Sequence, residues 1–193
     1  MSGGGARAAY QVGVLRAIAA LLPPGAANPF AIICGTSAGA INAASLASNA
    51  DRFDAGVARL ARVWGNLHVS SVYRTDLSSL ARSLYRCLVA LLGRREHQSC
   101  PLSLLDCGPL GSLLCRMIDF RRIQRVIAAG HLNALSVTAS SYATGDSVTF
   151  FQSDGSHKPW RRAHRVGRPA DIGLSHVMAS CAPYRVPRCS DRA

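Results

Sequence analysis

Acidic side chains are scarce in this 193-residue sequence, which has 10 Asp and Glu against 22 Lys and Arg. The formal net charge of +12 favours a partner that carries negative charge. Aromatic residues make up only 6%, and the dispersed basic residues form neither an aromatic-interleaved patch nor a nucleic-acid motif. We therefore expect no nucleic-acid partner. Peripheral contact with an anionic membrane fits the charge, and a solvated arginine-rich surface is the plain alternative.

Long apolar runs and paired cysteines are missing as well. No run approaches the roughly 20 residues that span a bilayer, and the glycine-rich N-terminus lacks the pattern of a signal peptide. The seven scattered cysteines contain no C-x-x-C pair, so neither a zinc site nor redox chemistry is indicated. We expect reduced, mostly buried thiols, a cytoplasmic location and no cofactor or metal.

The chain has enough apolar residues, 49%, to form a real core within its 193 residues. We predict one domain over residues 1–182, followed by an irregular basic tail at 183–193. The arginine-rich segment 158–169 is interpreted as a solvated connection. Periodicity predicts helices at 8–22, 38–48, 51–64, 77–92, 110–118, 123–129 and 176–182, and strands at 30–34, 135–142 and 147–151.

Mixed strands and helices favour an α/β layered fold. The stretch 77–92 carries leucines on one side and Arg82 and Arg86 on the other. Such a helix is either half-buried in the fold, which we favour, or an interfacial element on a membrane.

One turn between a predicted strand and a predicted helix has the pattern of a nucleophile elbow. Ser37 lies at the centre of a G-x-S-x-G sequence, between an apolar run and an Ala-rich run. Such a turn would project the hydroxyl above the sheet, beside the positive end of the following helix. The same pattern also arises by chance in sequences rich in Gly, Ala and Ser. The elbow residues around the candidate nucleophile are Gly35, Thr36, Ala38 and Gly39.

A glycine-rich turn upstream of Ser37 supports the interpretation of a nucleophile elbow. Backbone N–H groups in such a turn can stabilise an oxyanion, because a substrate oxygen can approach a main chain without side chains. A dinucleotide site is a weaker interpretation, since no strand precedes the turn. The candidate oxyanion-hole residues are Gly3, Gly4, Gly5 and Ala6, and they run directly into the predicted helix at 8–22.

Together these motifs closely resemble the patatin-like phospholipase family. The resemblance extends to Thr138–Gly145 and His176–Ala182 and covers nearly the whole chain. It implies a three-layer α/β/α fold with a central, mainly parallel sheet, incomplete here. Family members usually carry a strand ahead of the glycine turn, and this chain leaves almost no room for one. That absence would bare a sheet edge. Two motifs at the family's spacing are more specific than either alone.

The resemblance also implies a mechanism. Patatin-like enzymes use a Ser–Asp dyad to hydrolyse ester bonds of phospholipids or other lipids, with Ser37 matching the nucleophile and Arg7 a basic position. The family's Asp lies in an Asp-Gly-Gly or Asp-Gly-Ala turn after the helix matched by 176–182, and no such turn follows here. Neither Asp154 nor Asp191 fits its place. The alternative is therefore an inactive, truncated patatin-like protein, at most a basic protein that binds lipid surfaces.

A catalytic triad of serine, histidine and acid is a further alternative. It would need one of four histidines as base, although α/β-hydrolases generally reach their elbow only after several strands, and Ser37 follows one at most. Each histidine also has a plain structural interpretation as a surface or satisfied core residue. The nominal bases are His131, His157, His164 and His176.

Overall fold

The computed structural model describes residues 1–66, 108–141 and 143–181, in which helices and strands are mixed along the chain. A 3₁₀ turn at Gly5–Arg7 leads into the first helix. The helices are α1 (Ala8–Leu21), α2 (Ala38–Ala47), α3 (Phe53–Gly65), α4 (Gly108–Met117), α5 (Phe120–Ala128) and α6 (Leu174–Cys181). The strands are β1 (Ile32–Thr36), β2 (Ala134–Ser140), β3 (Ser147–Ser153), β4 (Trp160–Arg162) and β5 (Arg165–Pro169). The predicted helix at 77–92 and the predicted tail lie outside the described residues.

The strands form one mixed sheet in the order β1-β2-β3-β5-β4. Strands β1 and β2 run parallel, as do β3 and β5, whereas β2–β3 and β4–β5 are antiparallel. Helices contact the sheet through α2 on β1 and β2, α6 on β2 and α5 on β3. The predicted α/β fold is confirmed.

Alternation along β1 explains how α2 meets the sheet. Ile33 and Gly35 are buried, while the intervening residues are exposed. Their partners in β2 are Leu135 and Val137, which are fully buried, so one face of the two strands is apolar. Nine of the ten residues of α2 are buried, five of them Ala, so the helix is enclosed on all sides and can lie close to the backbone of β1.

The core extends from this face through α3, α4 and α5. Each of these helices turns an apolar face to the core, which is the usual source of helix stability in a protein. The largest fully buried side chains include Leu46, Phe53, Leu60, Leu114, Ile123 and Leu135.

The outer edge of β1 is nearly open within the described residues. Met1 alone extends the sheet, since its amino group donates to the Cys34 carbonyl at 2.6 Å and its carbonyl accepts from the Thr36 N–H at 3.1 Å. A groove of about 390 Å³ lies beside it, between β1 and α1. Apolar side chains here remain in water, with Tyr10 79% and Ile32 49% exposed.

Two expectations from the sequence are wrong in this structure. The arginine-rich segment after Ser153 forms β4 and β5 instead of an irregular connection, because β5 pairs in parallel with β3. Among the described cysteines, the thiols of Cys34 and Cys115 are exposed rather than buried, and the other part of this expectation, for Cys87, Cys100, Cys107 and Cys189, lies outside the described residues. Cys34 lies on the face of β1 opposite to α2, which explains its exposure.

Candidate active site

Ser37 lies in the turn between β1 and α2, in a backbone conformation that few residues adopt. Its φ is 54° and its ψ is −129°. In the described chain only one other non-glycine residue, His164, has a positive φ. Such a conformation costs about 1–3 kcal/mol and persists where the surrounding structure holds it. The turn is therefore a strained strand-to-helix elbow, as the sequence predicts.

The glycines on both sides of Ser37 are required by close packing. A Cβ on Gly35 would lie 2.6 Å from the Cα of Ala40, and a Cβ on Gly39 would lie 2.6 Å from the Ser2 carbonyl oxygen. Real Cβ atoms do not approach that closely. The G-x-S-x-G pattern is thus the sequence that lets α2 lie against β1 and under the N-terminal residues.

The glycine turn lies directly against the elbow. A Cβ on Gly3 would be 2.9 Å from the Ser37 Cβ and 3.7 Å from its Oγ. Gly4 and Gly5 have φ values of 137° and 57°, which favour glycine. Within the described residues, the backbone N–H groups of Gly3, Gly4 and Gly5 donate no hydrogen bond. The two motifs that are 34 residues apart in sequence, measured from Gly3 to Ser37, therefore share one small space.

The N-terminus of α2 begins immediately after Ser37. The Ala40 N–H donates to the Ser37 carbonyl at 2.7 Å, which starts the helix. The N–H groups of Ala38 and Gly39 have no partner within the helix, and the aligned peptide dipoles place partial positive charge at this end. Negative charge that develops beside Ser37 is favoured by this arrangement.

A buried amide links the glycine turn to the elbow helix. Asn42, fully buried in α2, donates from Nδ2 to the Ala8 carbonyl at 3.0 Å, and its Oδ1 accepts from the Trp64 Nε1 at 2.7 Å. Gln11 donates to the Ser2 carbonyl at 2.7 Å. These bonds connect α1, α2 and α3 around the site. The sequence identified none of the three side chains as part of it.

A second serine is bonded to the elbow itself. The Ser37 N–H donates to the Ser180 Oγ at 2.7 Å, and that hydroxyl donates to the Thr138 carbonyl at 2.6 Å. Helix α6 is thereby joined to the elbow and to the carboxyl end of β2. The sequence offered one signal for Ser180, its place in the stretch 176–182 that carries the family resemblance, but gave it no role.

Comparison with known proteins agrees with this geometry. The model of the Patatin family, described as patatin-like phospholipase, matches residues 1–183. The chain belongs to the patatin-like phospholipase family. No curated protein and no solved structure matches the chain. Membership supports a hydrolase that acts on lipids, in general terms.

No carboxylate accepts a hydrogen bond from the Ser37 Oγ in residues 1–66, 108–141 and 143–181. The aspartate of a patatin-like dyad therefore has no counterpart there. Asp154 follows Ser153, which pairs with Ala134, and Ala134 pairs with Ile32 at the start of β1. Ser37 comes five residues after Ile32, so it lies about 16 Å further along the strand direction. Asp154 is therefore at the wrong end of the sheet to act as its base.

Asp154 instead forms a local cluster in an exposed loop. The Ser156 hydroxyl donates to the Asp154 Oδ1 at 2.5 Å and lies 2.9 Å from the His157 Nδ1. The Ser156 hydroxyl bond, together with its N–H, lowers the pKa of Asp154. This serine has an acid and an imidazole beside it but no strained turn and no glycine turn, which makes it a matched comparison for Ser37.

None of the four histidines that a catalytic triad would need hydrogen-bonds to Ser37. His131, His157 and His164 are exposed. His176 is half-buried, with its Nδ1 accepting from the Gly173 N–H at 3.1 Å and its ring edge-on to Phe150 at 4.7 Å between centroids. Burial lowers the pKa of His176. The described structure gives it a structural place rather than the position of a general base.

Metal and membrane features can be stated for the part of the chain that the structure describes. No group of three or more His, Cys, Asp or Glu is placed there to hold a metal ion. No helix there has the length and apolar character needed to cross a bilayer.

Proposed function

We propose that this chain is a lipid acyl hydrolase of phospholipase A or esterase type, with Ser37 as its nucleophile. The observation that carries the proposal is the strained elbow of Ser37 at the N-terminus of α2, where Ser37 lies against the glycine turn that precedes α1. The family relation supports the choice of lipid esters as substrates.

In the proposed reaction the Ser37 Oγ attacks the carbonyl carbon of the ester and its proton passes to a base. The oxyanion is held by backbone N–H groups of Gly3, Gly4, Gly5 and Ala6, with those at the start of α2 beside them. Collapse of the intermediate breaks the ester C–O bond, and the alcohol leaves with the proton. Water then attacks the acyl-serine and releases the fatty acid.

The family resemblance implies an aspartate as the base, in an Asp-Gly-Gly or Asp-Gly-Ala turn, and residues 1–193 contain neither sequence. A serine hydroxyl is a weak nucleophile at neutral pH, and a general base contributes about 10²–10⁴-fold. We therefore propose that the 193-residue chain hydrolyses esters slowly, and that an appended Asp-Gly-Gly segment raises its rate. The second candidate is a protein that binds lipid surfaces without turnover, and the net charge of +12 is the observation that favours it.

The nucleophile is tested with a fluorophosphonate probe, which phosphonylates activated serines. We expect labelling of the chain, with and without the appended segment, to be lost in Ser37→Ala. Ser156→Ala is the matched control, because Ser156 has Asp154 and His157 within hydrogen-bond distance but lacks the elbow. Labelling that persists in Ser37→Ala, or that is lost in Ser156→Ala, contradicts the assignment.

Turnover is measured with short-chain nitrophenyl esters and with phospholipid vesicles. Ser37-dependent hydrolysis that rises on addition of the Asp-Gly-Gly segment supports the dyad. Fast hydrolysis by the unextended chain would mean that a carboxylate outside the described residues already serves as the base. Vesicle binding without Ser37-dependent hydrolysis in either chain would favour the lipid-binding alternative.

A further inference from the structure

The two strands β4 and β5 form a cationic hairpin. No acidic residue occurs between Gly155 and Ala170, and the cations of this segment are all exposed. We call residues 158–168 the arginine hairpin. Its cations are Lys158, Arg161, Arg162, Arg165 and Arg168.

These charges are not neutralised within the described residues, where none of the five cations forms a salt bridge. The nearest carboxylate contact belongs to the turn, in which the His164 Nδ1 lies 3.6 Å from the Asp146 Oδ1. Arg162 is directly opposite Arg165 in the ladder. Like charges in such cross-strand pairs repel each other and destabilise the hairpin. An anion bound at this surface would relieve that repulsion.

An aromatic side chain lies among the cations. Trp160 is 40% exposed, and its ring packs over Gly167, the residue with which it pairs. A Cβ on Gly167 would lie 2.7 Å from the Trp160 Cδ1, so glycine is needed to keep the ring there. Tryptophan beside arginine suits the interface of a bilayer, where the ring meets both head groups and acyl chains.

The hairpin lies at the same end of the sheet as the nucleophile. One row of paired residues crosses all five strands, from Thr36 through Thr138, Thr149 and Gly167 to Trp160. Four strand spacings separate its ends, which is about 19 Å. Ser37 follows Thr36 directly, so a flat surface against this end of the sheet could meet both.

The turn of the hairpin extends beyond that row in the direction of Ser37. Arg162 pairs with Arg165, which pairs with Ser147, and Ser147 pairs with Ser140 at the carboxyl end of β2. That is the end of the sheet at which the chain leaves β1 for the elbow. Arg162 and Arg165, which form no salt bridge within the described residues, therefore lie at the same end of the sheet as Ser37.

We propose that the arginine hairpin is a docking surface for anionic lipid head groups, which brings the Ser37 end of the sheet to a membrane. The choice of lipid over other polyanions rests on the proposed function, since a lipid acyl hydrolase must reach substrate in a bilayer. The charge complementarity, the exposed tryptophan and the shared end of the sheet are observations independent of catalysis.

The test measures binding to phosphatidylcholine vesicles with and without phosphatidylglycerol. An arginine near an anionic surface contributes about 1 kcal/mol, so Arg162→Gln with Arg165→Gln should weaken binding to the anionic vesicles about 25-fold. Arg16→Gln with Arg121→Gln is the matched control, because both arginines are exposed, lie outside the hairpin and change the net charge equally. Thermal unfolding confirms that all variants are folded.

Equal weakening by the two double variants would overturn the proposal, because only the overall charge would then matter. Binding to pure phosphatidylcholine that matches binding to anionic vesicles would also overturn it. Trp160 gives a second readout, since its fluorescence should shift to the blue on binding and Trp160→Phe should remove that shift. A shift retained in Trp160→Phe would contradict contact of the hairpin with lipid.

Nucleic acid is the competing polyanion. If the hairpin variant loses affinity for a duplex oligonucleotide more than for anionic vesicles, the surface is not a lipid site. All binding measurements are repeated in Ser37→Ala, which removes the proposed nucleophile and leaves the hairpin unchanged. If the parent chain binds anionic vesicles but the fluorophosphonate probe does not label Ser37, only the nucleophile assignment is refuted. If Ser37 is labelled but binding to anionic vesicles does not depend on the hairpin, only the docking surface is refuted.

Discussion

Removal of one hydroxyl, in Ser180→Ala, should loosen the strained elbow at Ser37. The Ser180 Oγ accepts the Ser37 N–H and donates to the Thr138 carbonyl, at 2.7 and 2.6 Å. Alanine fits a helix well but offers neither bond. The Ser37 amide and the Thr138 carbonyl would then each lose a partner in a half-buried place. We infer that Ser180 is a positioning residue that acts through the backbone of Ser37.

The size of the effect follows from hydrogen-bond energies. A neutral hydrogen bond contributes about 0.5–1.5 kcal/mol net, so loss of both should lower the free energy of unfolding by about 1–3 kcal/mol. The φ of 54° at Ser37 is itself unfavourable, so an elbow with fewer bonds can relax. If about 1 kcal/mol of the loss affects the position of Ser37, the proposed nucleophile, its reaction rate falls about fivefold.

Two measurements report on the elbow. Hydrogen exchange should show the Ser37 amide about fivefold less protected in Ser180→Ala, while amides of β1 keep their protection. The second-order rate of fluorophosphonate labelling should fall by a similar factor. The exchange measurement does not require a reactive serine, so it tests the bond even in a chain that is not labelled.

Three variants separate positioning from general loss of stability. Ser175→Ala makes the same substitution at an exposed position of α6 and should change nothing. Val177→Ala, at a fully buried position of α6, should lower stability without slowing labelling of the folded protein. Ser180→Thr keeps a hydroxyl and should restore much of the protection. Unchanged exchange of the Ser37 amide in Ser180→Ala would refute the reasoning.

Two further predictions concern packing and pH. Gly3→Ala should cut labelling of Ser37 by at least tenfold, because its Cβ would lie 2.9 Å from the Ser37 Cβ, and labelling kinetics measure this. His176 should make the protein less stable as the pH falls. Its pKa is lowered in the folded state by burial, partly opposed by Asp171, so the unfolded chain binds the proton more tightly. The free energy of unfolding should therefore fall as the pH drops through about 6.5, as measured by urea denaturation.

Controls for these predictions come from the same chain. Gly13→Ala, where a Cβ meets nothing within 4 Å, should leave labelling unchanged and stabilise α1 by up to about 1 kcal/mol. Slower labelling of Ser37 in Gly13→Ala would show that the slow labelling expected for Gly3→Ala is not specific to contact with Ser37. For the pH dependence, His176→Gln should flatten the stability profile between pH 5 and 7, roughly the range in which histidine titrates. A profile unchanged by His176→Gln would contradict the prediction.

Short-range patterns were enough to predict most helices and the elbow. Helix α1 was expected at 8–22 and occurs at Ala8–Leu21, and α2 was expected at 38–48 and occurs at Ala38–Ala47. Periodicity, proline and glycine act within a few residues, so they can be read locally. The glycines around Ser37 likewise predicted a tight turn, because only glycine lets other backbone atoms come as close as they do at Gly35 and Gly39.

Contacts between distant residues could not be predicted in this way. Strands β4 and β5 look like a charged loop in sequence and become strands because β3 supplies a partner in parallel. The bond from Ser37 to Ser180 joins residues 143 positions apart, and no local pattern specifies it. Side-chain pairing across such distances depends on how the layers pack, which is a property of the whole chain.

The sequence by itself determined the family, the elbow and the glycine turn, because their residues are fixed by local backbone requirements. Only the tertiary structure brought Gly3 to within contact of Ser37, excluded Asp154 by placing it at the opposite end of the sheet, and set the turn of the arginine hairpin at the same end as Ser37. Strand register decided these positions, and register is set by pairing between strands that are far apart in sequence.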